Sequence, residues 1–294
     1  MPELPEVQGL ATFLAERLRG RTVVAADVAQ IAALKTYDPP LGALVGRTVT
    51  GVARHGKWLD VDADGVHLVF HLSRGGWVRW SERSPTTPVR ARLGGGGGGR
   101  AATLALRVRL EDASGLDLTE AGTRKRLAVH VVRDPQEVEQ VRTLGVDPLG
   151  ADFGPAVLGG LMRARNQQVK GLLRDQRVIA GIGNAYSDEI LHVAGTSPFR
   201  LTGTYDDADV VVLHEAIVST LSTAVAAASG RPAAELKDAK RAGMRVHGRT
   251  GLECPVCGDV VREVSFADSS LQYCPTCQTD GKVLADRRLS RIVR

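Results

Sequence analysis

Residues 5–19, PEVQGLATFLAERLR, place apolar side chains at Val7, Leu10, Phe13, Leu14 and Leu18. That spacing predicts a helix with one buried face, starting almost at the amino terminus. From Thr22 to Val132 the texture changes to short β-branched runs: RTVVAADV, RTVTGVAR, WLDVDADGVHLVFHL, WVRW, TLALRVRL and RLAVHVV. Alternation within them and turn residues between them predict antiparallel strands. The run Gly94–Gly99 reads as a mobile loop between two strands, because glycine alone fixes no backbone conformation. PQEVEQVRTLGVDPLG reads as a hinge. Beyond it, Val157, Leu158, Leu161 and Met162, then Val169, Leu172 and Leu173, then VVVLHEAIVSTLSTAVAAAS carry helical periodicity. SGRPAAELKDAKRAG is polar and turn-rich and reads as a loop. The pattern divides the chain into a strand-rich part at 1–135, a hinge at 136–152, a helical part at 153–243 and a cysteine-bearing tail at 244–294.

Length agrees with that division, since 294 residues exceed what one core usually serves. A hydrophobic content of 43% suits a globular protein. The formal charge of +5 points toward a polyanionic partner such as nucleic acid, although basic enzymes of small metabolites share it. No apolar run is read as reaching the roughly 18 residues that span a bilayer. No basic-then-apolar leader opens the chain. The expectation is a cytoplasmic protein without a membrane partner.

All four cysteines lie in the tail, as Cys254-Pro-Val-Cys257 and Cys274-Pro-Thr-Cys277. A disulfide framework would scatter cysteines along the chain, whereas two such knuckles joined by a hairpin match a four-thiolate zinc site. Four protein ligands leave no position for a catalytic water, so one structural Zn2+ is expected. Arg245, His247, Arg249, Arg262, Arg287, Arg288 and Arg291 surround it and suit phosphate. A second motif, IAGIGNAYSDEIL, reads as a tight turn into a helix with Asn184 as its cap, and such a helix start can hold a phosphate. A third, HGKWLDVD, sets Lys57 in a turn before a strand, where a lysine is ordinarily a solvated surface residue. The start, MPELPEV, is ambiguous from its own residues. Pro2 and Pro5 could be an ordinary terminus. Alternatively, removal of Met1 makes Pro2 a secondary amine titrating near 7.7–8.0, against about 10.4 for lysine, and able to form a cationic imine.

Together, MPELPEV, HGKWLDVD, GLLRDQRVIAGIGNAYSDEIL and the paired CxxC hairpin resemble, in this order, the formamidopyrimidine-DNA glycosylase and endonuclease VIII family. The resemblance covers nearly the whole chain. It implies an α+β architecture: a β-sandwich domain with a leading helix, a helix–two-turns–helix domain, and a zinc-finger hairpin beside a DNA cleft. It implies base excision repair by a monomeric glycosylase and AP lyase acting on damaged double-stranded DNA at the nucleoid. By position, Pro2 would attack the sugar C1′ of a flipped nucleotide and Glu3 would move protons during ring opening and elimination. Glu6 would set the state of the amine, and Lys57 would hold a flanking phosphate beside the catalytic centre. Asn184, His71, Arg74, Lys125, Arg126, Leu127 and Arg249 would contact DNA.

The sequence departs from the family at three places. Where HLGMSG is usual, this chain has His71-Leu-Ser-Arg74-Gly-Gly. Where DPRRFG fills the space left by the flipped base, the matching stretch is GTRKRLAV, putting Lys125 and Leu127 at the filling positions with Arg126 between. Where the finger usually carries an arginine, Ser269 stands. The loop over a flipped oxidised purine also reads as short. These changes leave Pro2, Glu3 and Lys57 untouched and argue against 8-oxoguanine as the preferred lesion. Two competing readings remain open: a non-catalytic damaged-DNA binder on the same scaffold, and a zinc-ribbon nucleic-acid adaptor.

Overall fold

The computed structural model describes residues 1–92, 102–266 and 269–285. The Gly94–Gly99 run and Arg287, Arg288 and Arg291 lie outside the described residues. The chain forms two compact units, Met1–Leu144 with Ala228–Leu236, and Gly145–Ala227 with Lys237–Arg294.

The first unit opens with helix α1 (Leu4–Leu18). Eight strands follow: β1 (Val23–Val28), β2 (Val49–His55), β3 (Trp58–Ala63), β4 (Val66–His71), β5 (Gly76–Ser81), β6 (Thr103–Leu110), β7 (Gly115–Glu120) and β8 (Ala128–Val132). They make two antiparallel four-stranded sheets, ordered β1-β6-β7-β5 and β2-β3-β4-β8. Alternation sends Leu59, Val61, Leu68, Phe70, Val129 and Val131 from one sheet, and Val78, Leu106, Val108, Leu116 and Leu118 from the other, into one core. Leu10, Leu14 and Leu18 of α1 join it.

Strand β7 is an addition to the sequence reading. Its GLDLTE alternates as the others do, burying Leu116 and Leu118. Outward-facing Asp117 takes a two-pronged pair from its register partner Arg107, with Nε–Oδ1 and Nη2–Oδ2 both 2.7 Å.

The other face of the β2-β3-β4-β8 sheet carries Trp58, Asp60, Val69 and Val132. Val138 and Val141, flanking and within the short helix α2 (Glu139–Arg142), pack on Trp58, Val69 and Val132. Asp60 is buried and accepts from His67 Nδ1 at 2.9 Å and His55 Nε2 at 3.3 Å.

The second unit contains α3 (Pro155–Ala164), α4 (Val169–Arg174), α5 (Asn184–Val193) and nearly all of α6 (Asp207–Ala228). Among the described residues, α6 alone is long and apolar enough to cross a membrane by length and composition, with a mean hydropathy of 1.7. This corrects the expectation that no apolar run reaches that length. Its Leu213, Ile217 and Leu221 are buried while Glu215, Ser219 and Ser222 are exposed, the pattern of a helix on a protein core. The stretch read as a loop after α6 contains a further helix, α7 (Leu236–Ala242). Residues 228–236, assigned by pattern to the helical part, pack with the first unit, where Trp77 Nε1 donates to Ala233 O at 3.0 Å. The tail adds hairpin strands β9 (Arg262–Ser265) and β10 (Ser270–Tyr273) and short helix α8 (Pro275–Thr279).

The turn after β4 depends on two glycines. A Cβ on Gly76 would lie 2.2 Å from Leu72 O, and one on Gly75 2.3 Å from Ala121 O. Gly76→Ala is therefore expected to destabilise the first unit by about 1–3 kcal/mol, as overpacking does. Denaturant midpoints at unchanged slope would check it; a wild-type midpoint would refute the close approach.

Candidate active site and metal centre

The amino terminus is built inward. Pro2, Glu3, Pro5 and Glu6 are all buried. Glu3 is the N-cap of α1, and its backbone N–H donates to Glu6 Oε2 at 2.8 Å. Pro5 sits in the first turn, where a missing N–H costs nothing because that donor has no partner within the helix. MPELPEV thus encodes a capped helix start in which Pro2, Glu3 and Glu6 are buried together.

Lys57 is also buried, at 7% exposure, which corrects the picture of a solvated turn lysine. Arg54 couples its turn to the terminal helix. Its Nε donates to Gln8 Oε1 of α1 at 2.9 Å and its Nη1 to Gly56 O at 3.3 Å. On the far side of the turn, Trp58 packs at a tilt against His71, with ring centroids 4.9 Å apart and planes 42° apart. Burial, and secondarily the Lys57 charge, lower the His71 pKa to about 4. The Ser73 N–H donates to His71 Nδ1 at 3.2 Å, so the proton of the neutral ring is on Nε2.

The turn after His71 meets the β7–β8 turn, where Ala121 N–H donates to Gly75 O at 2.9 Å. Arg74, Thr123, Arg124 and Arg126 are exposed at these two turns and Lys125 is half-buried. Leu127 is not available to DNA. It is 2% exposed and belongs to the core. This corrects its assignment as a filling residue: strand alternation into β8 turns position 127 inward and leaves 124 and 126 outward. Glu120, buried at 1% exposure, clamps the turn. Its Oε1 accepts the Arg126 N–H at 2.6 Å and the Leu127 N–H at 3.0 Å, and its carbonyl accepts from Lys125 Nζ at 2.5 Å. Nothing in the sequence marks Glu120, because a clamp formed across a turn has no spacing signature.

In the second unit the GIGN turn is braced by Gln176, which accepts from Gly181 N–H at 3.0 Å and donates to Ile182 O at 2.7 Å. Gly181 has φ +90°, a conformation that requires glycine here. The N-cap of α5 is Gly183, one residue before the Asn184 that the sequence suggested. Asn184 Nδ2 instead donates to Ser270 O of the finger at 2.7 Å. Lys170, buried, contacts Asp188 Oδ1 at 2.5 Å and Ser187 Oγ at 2.7 Å. Asp188 Oδ2 reaches His247 Nδ1 at 2.7 Å. Glu189 accepts the backbone N–H groups of Arg245, Val246 and His247 at 2.7, 3.0 and 2.8 Å. Burial raises its pKa even against those donors. Arg249, half-buried, donates through Nη2 to Glu253 O at 3.4 Å.

The four cysteine sulfurs lie within 4.8 Å of one another, with Cys254–Cys277 at 3.8 Å and Cys257–Cys274 at 3.4 Å. Zn–S bonds of about 2.3 Å in a tetrahedron need separations of this order. Burial, and then neighbouring thiols, push Cys274 up to about 11, so its ionisation calls for a cation. The set fits one structural zinc.

Sequence comparison agrees with this geometry along the chain. Residues 1–127 match the formamidopyrimidine-DNA glycosylase N-terminal domain, 144–233 its H2TH domain and 251–279 the zinc finger found in FPG and IleRS. The chain belongs to the formamidopyrimidine-DNA glycosylase family. The enzyme of that name from Chloroflexus aggregans is 34% identical over 287 residues, covering 95% of this chain and 98% of its own. An uncharacterized formamidopyrimidine-DNA glycosylase-like protein of Mycobacterium tuberculosis is 59% identical over 155 residues, 53% of this chain and 97% of its own. Among solved structures, a Lactococcus lactis FPG variant in complex with Fapy-dG containing DNA superposes with a TM-score of 0.80. It shares 25% identity and covers 95% of this chain and 100% of its own. Membership makes this a DNA-repair glycosylase scaffold that binds DNA and holds zinc.

Two outcomes check the local chemistry. Above about pH 6.5 neither folded nor unfolded chain protonates His71. Between there and about 4 only the unfolded chain takes the proton, so stability falls on acidification through that window. An NMR titration of His71 should give a midpoint near 4, and His71→Gln should flatten that part of the stability profile; a midpoint near 6.5 would contradict the burial argument. Glu120→Ala should strand the Arg126 and Leu127 N–H groups, at about 1–3 kcal/mol each. Their amide exchange should accelerate while β3 stays protected, and unchanged exchange would remove the clamp.

Proposed function

We propose that this chain is a DNA glycosylase with AP lyase activity whose nucleophile is the Pro2 amine, released when Met1 is removed. The observation that carries the reading is the joint burial of Pro2, Glu3 and Glu6 in a capped helix start. An idle terminus frays into solvent. This one is buried together with Glu3 and Glu6, and removal of Met1 turns the Pro2 nitrogen into an α-amino group that titrates at roughly 7.7–8.0.

In this reading the amine attacks C1′ of a nucleotide flipped from a damaged duplex, and the base leaves with the electrons of the glycosidic bond. Glu3 gives a proton to the ring oxygen, opening the sugar and leaving an iminium between Pro2 nitrogen and C1′. That cation acidifies the C2′ proton. Loss of the proton expels the 3′ phosphate, and a second elimination expels the 5′ phosphate. Glu6, accepting the Glu3 N–H, holds the helix start and sets the surroundings of the amine. Lys57 and the Nε2–H of His71 take phosphate oxygens, with Asn184 and Arg249 contributing from the second unit.

Arg74, Lys125 and Arg126 face the vacated stack. Cations there make a wetter filling than methionine and phenylalanine. This supports preference for abasic sites, oxidised pyrimidines or an unusual lesion over 8-oxoguanine. The protein acts as a monomer on nucleoid DNA.

Borohydride trapping on duplexes tests both halves. Protein with a free Pro2 should give a covalent band with an abasic site, a band with an oxidised pyrimidine, and little or none with 8-oxoguanine or undamaged DNA. Retaining Met1 should abolish every band and leave DNA binding intact. No band from protein verified to lack Met1 would leave a damaged-DNA binder on this scaffold.

A further inference from the structure

Helix α5 meets the finger along its whole length. Asn184 reaches Ser270 from its first residue, and Glu189 holds residues 245–247 from its middle. The third contact, in the last turn, goes to a zinc ligand itself. His192 is 4% exposed, and its Nε2 lies 3.2 Å from Cys254 Sγ. Its other ring nitrogen, Nδ1, is buried with no hydrogen-bond partner.

Those facts assign the proton. A zinc-bound thiolate only accepts, so the ring nitrogen facing it must donate, and the unpartnered Nδ1 is the bare nitrogen of the neutral ring. The need for such a donor follows from charge. Four thiolates around one Zn2+ carry a net double negative charge, which is costly to bury without hydrogen bonds. Cys257 and Cys274 receive backbone N–H groups, from Asp259 and Cys277. Cys254 is 2% exposed and cut off from water. Its side-chain donor comes from a different element, one that a single substitution can remove.

We propose that His192 is a positioning residue of the metal centre: its Nε2–H binds the Cys254 thiolate, strengthens the hold on zinc, and ties the occupied finger to α5. Zinc occupancy is thereby coupled to the helix that carries Asn184. The sequence gives no hint of it, because residue 192 lies far from both knuckles and outside any motif.

The test uses the full chain with zinc bound. His192→Phe keeps the ring's bulk and loses the donor; His192→Gln returns an amide N–H at the Nε2 position. Chelator competition should show zinc affinity about 10- to 100-fold weaker in the Phe variant, as for other outer-shell partners of metal ligands. The Gln variant should recover most of it. With Co2+ in place of zinc, the sulfur-to-metal charge-transfer band should shift in the Phe variant and return in the Gln variant. Equal affinity and an unshifted band for Phe would overturn the proposal, as would equal impairment of Phe and Gln. If the Phe variant does not fold, the wild-type chain loaded with 113Cd decides alone. A scalar coupling between the metal and the His192 Nε2–H proton is expected, and an Nδ1–H tautomer without coupling would refute it.

Discussion

A buried carboxylate accepting backbone N–H groups is the interaction on which the functional parts of this molecule depend. Glu6 takes the N–H of Glu3 and fixes the terminus. Glu120 takes those of Arg126 and Leu127 and fixes the β7–β8 turn. Glu189 takes three in succession and fixes the approach to the finger. Each acid trades hydration for charge-assisted hydrogen bonds to donors that would otherwise need water. The exchange succeeds only where the backbone is already turned to offer them. Cations then stand in defined places although the segments bearing them have little core of their own.

The same economy explains why histidines gather at the β2-β3-β4-β8 sheet. Asp60 is buried between His55 and His67, and Trp58 packs at a tilt on His71 and edge-on against His130. One member of each group, His55 and Trp58, flanks the two residues that turn the chain at Lys57.

Much of this was legible in the sequence. Helix α1, seven of the eight strands of the sandwich and the four-thiolate centre follow from periodicity and spacing alone. What escaped has physical causes. Strand β7 has only two buried leucines, and its Asp117, Thr119 and Glu120 make the segment read as polar. Helix α7 buries little more than Leu236 and therefore has no apolar stripe to read. The cap of α5 slid by one because glycine and asparagine both suit a helix start. Lys57 looked solvated because burial of a lone cation depends on neighbours distant in sequence. Leu127 was placed by alignment of motif letters, whereas its direction is decided by the strand that begins at Ala128. Glu120 and His192 act across space and leave no local pattern.

The inward turn of Leu127 has a consequence for how the chain can change over generations. Its side chain is core, and its backbone is clamped by Glu120, so this position is under the selection that acts on folding. Arg124 and Arg126, its exposed neighbours, contribute little to that core. Mutation can therefore explore the tip of the turn almost freely while the anchor stays constant. The exposed face of the turn can change without eroding stability, provided the turn keeps its length and changes only its letters.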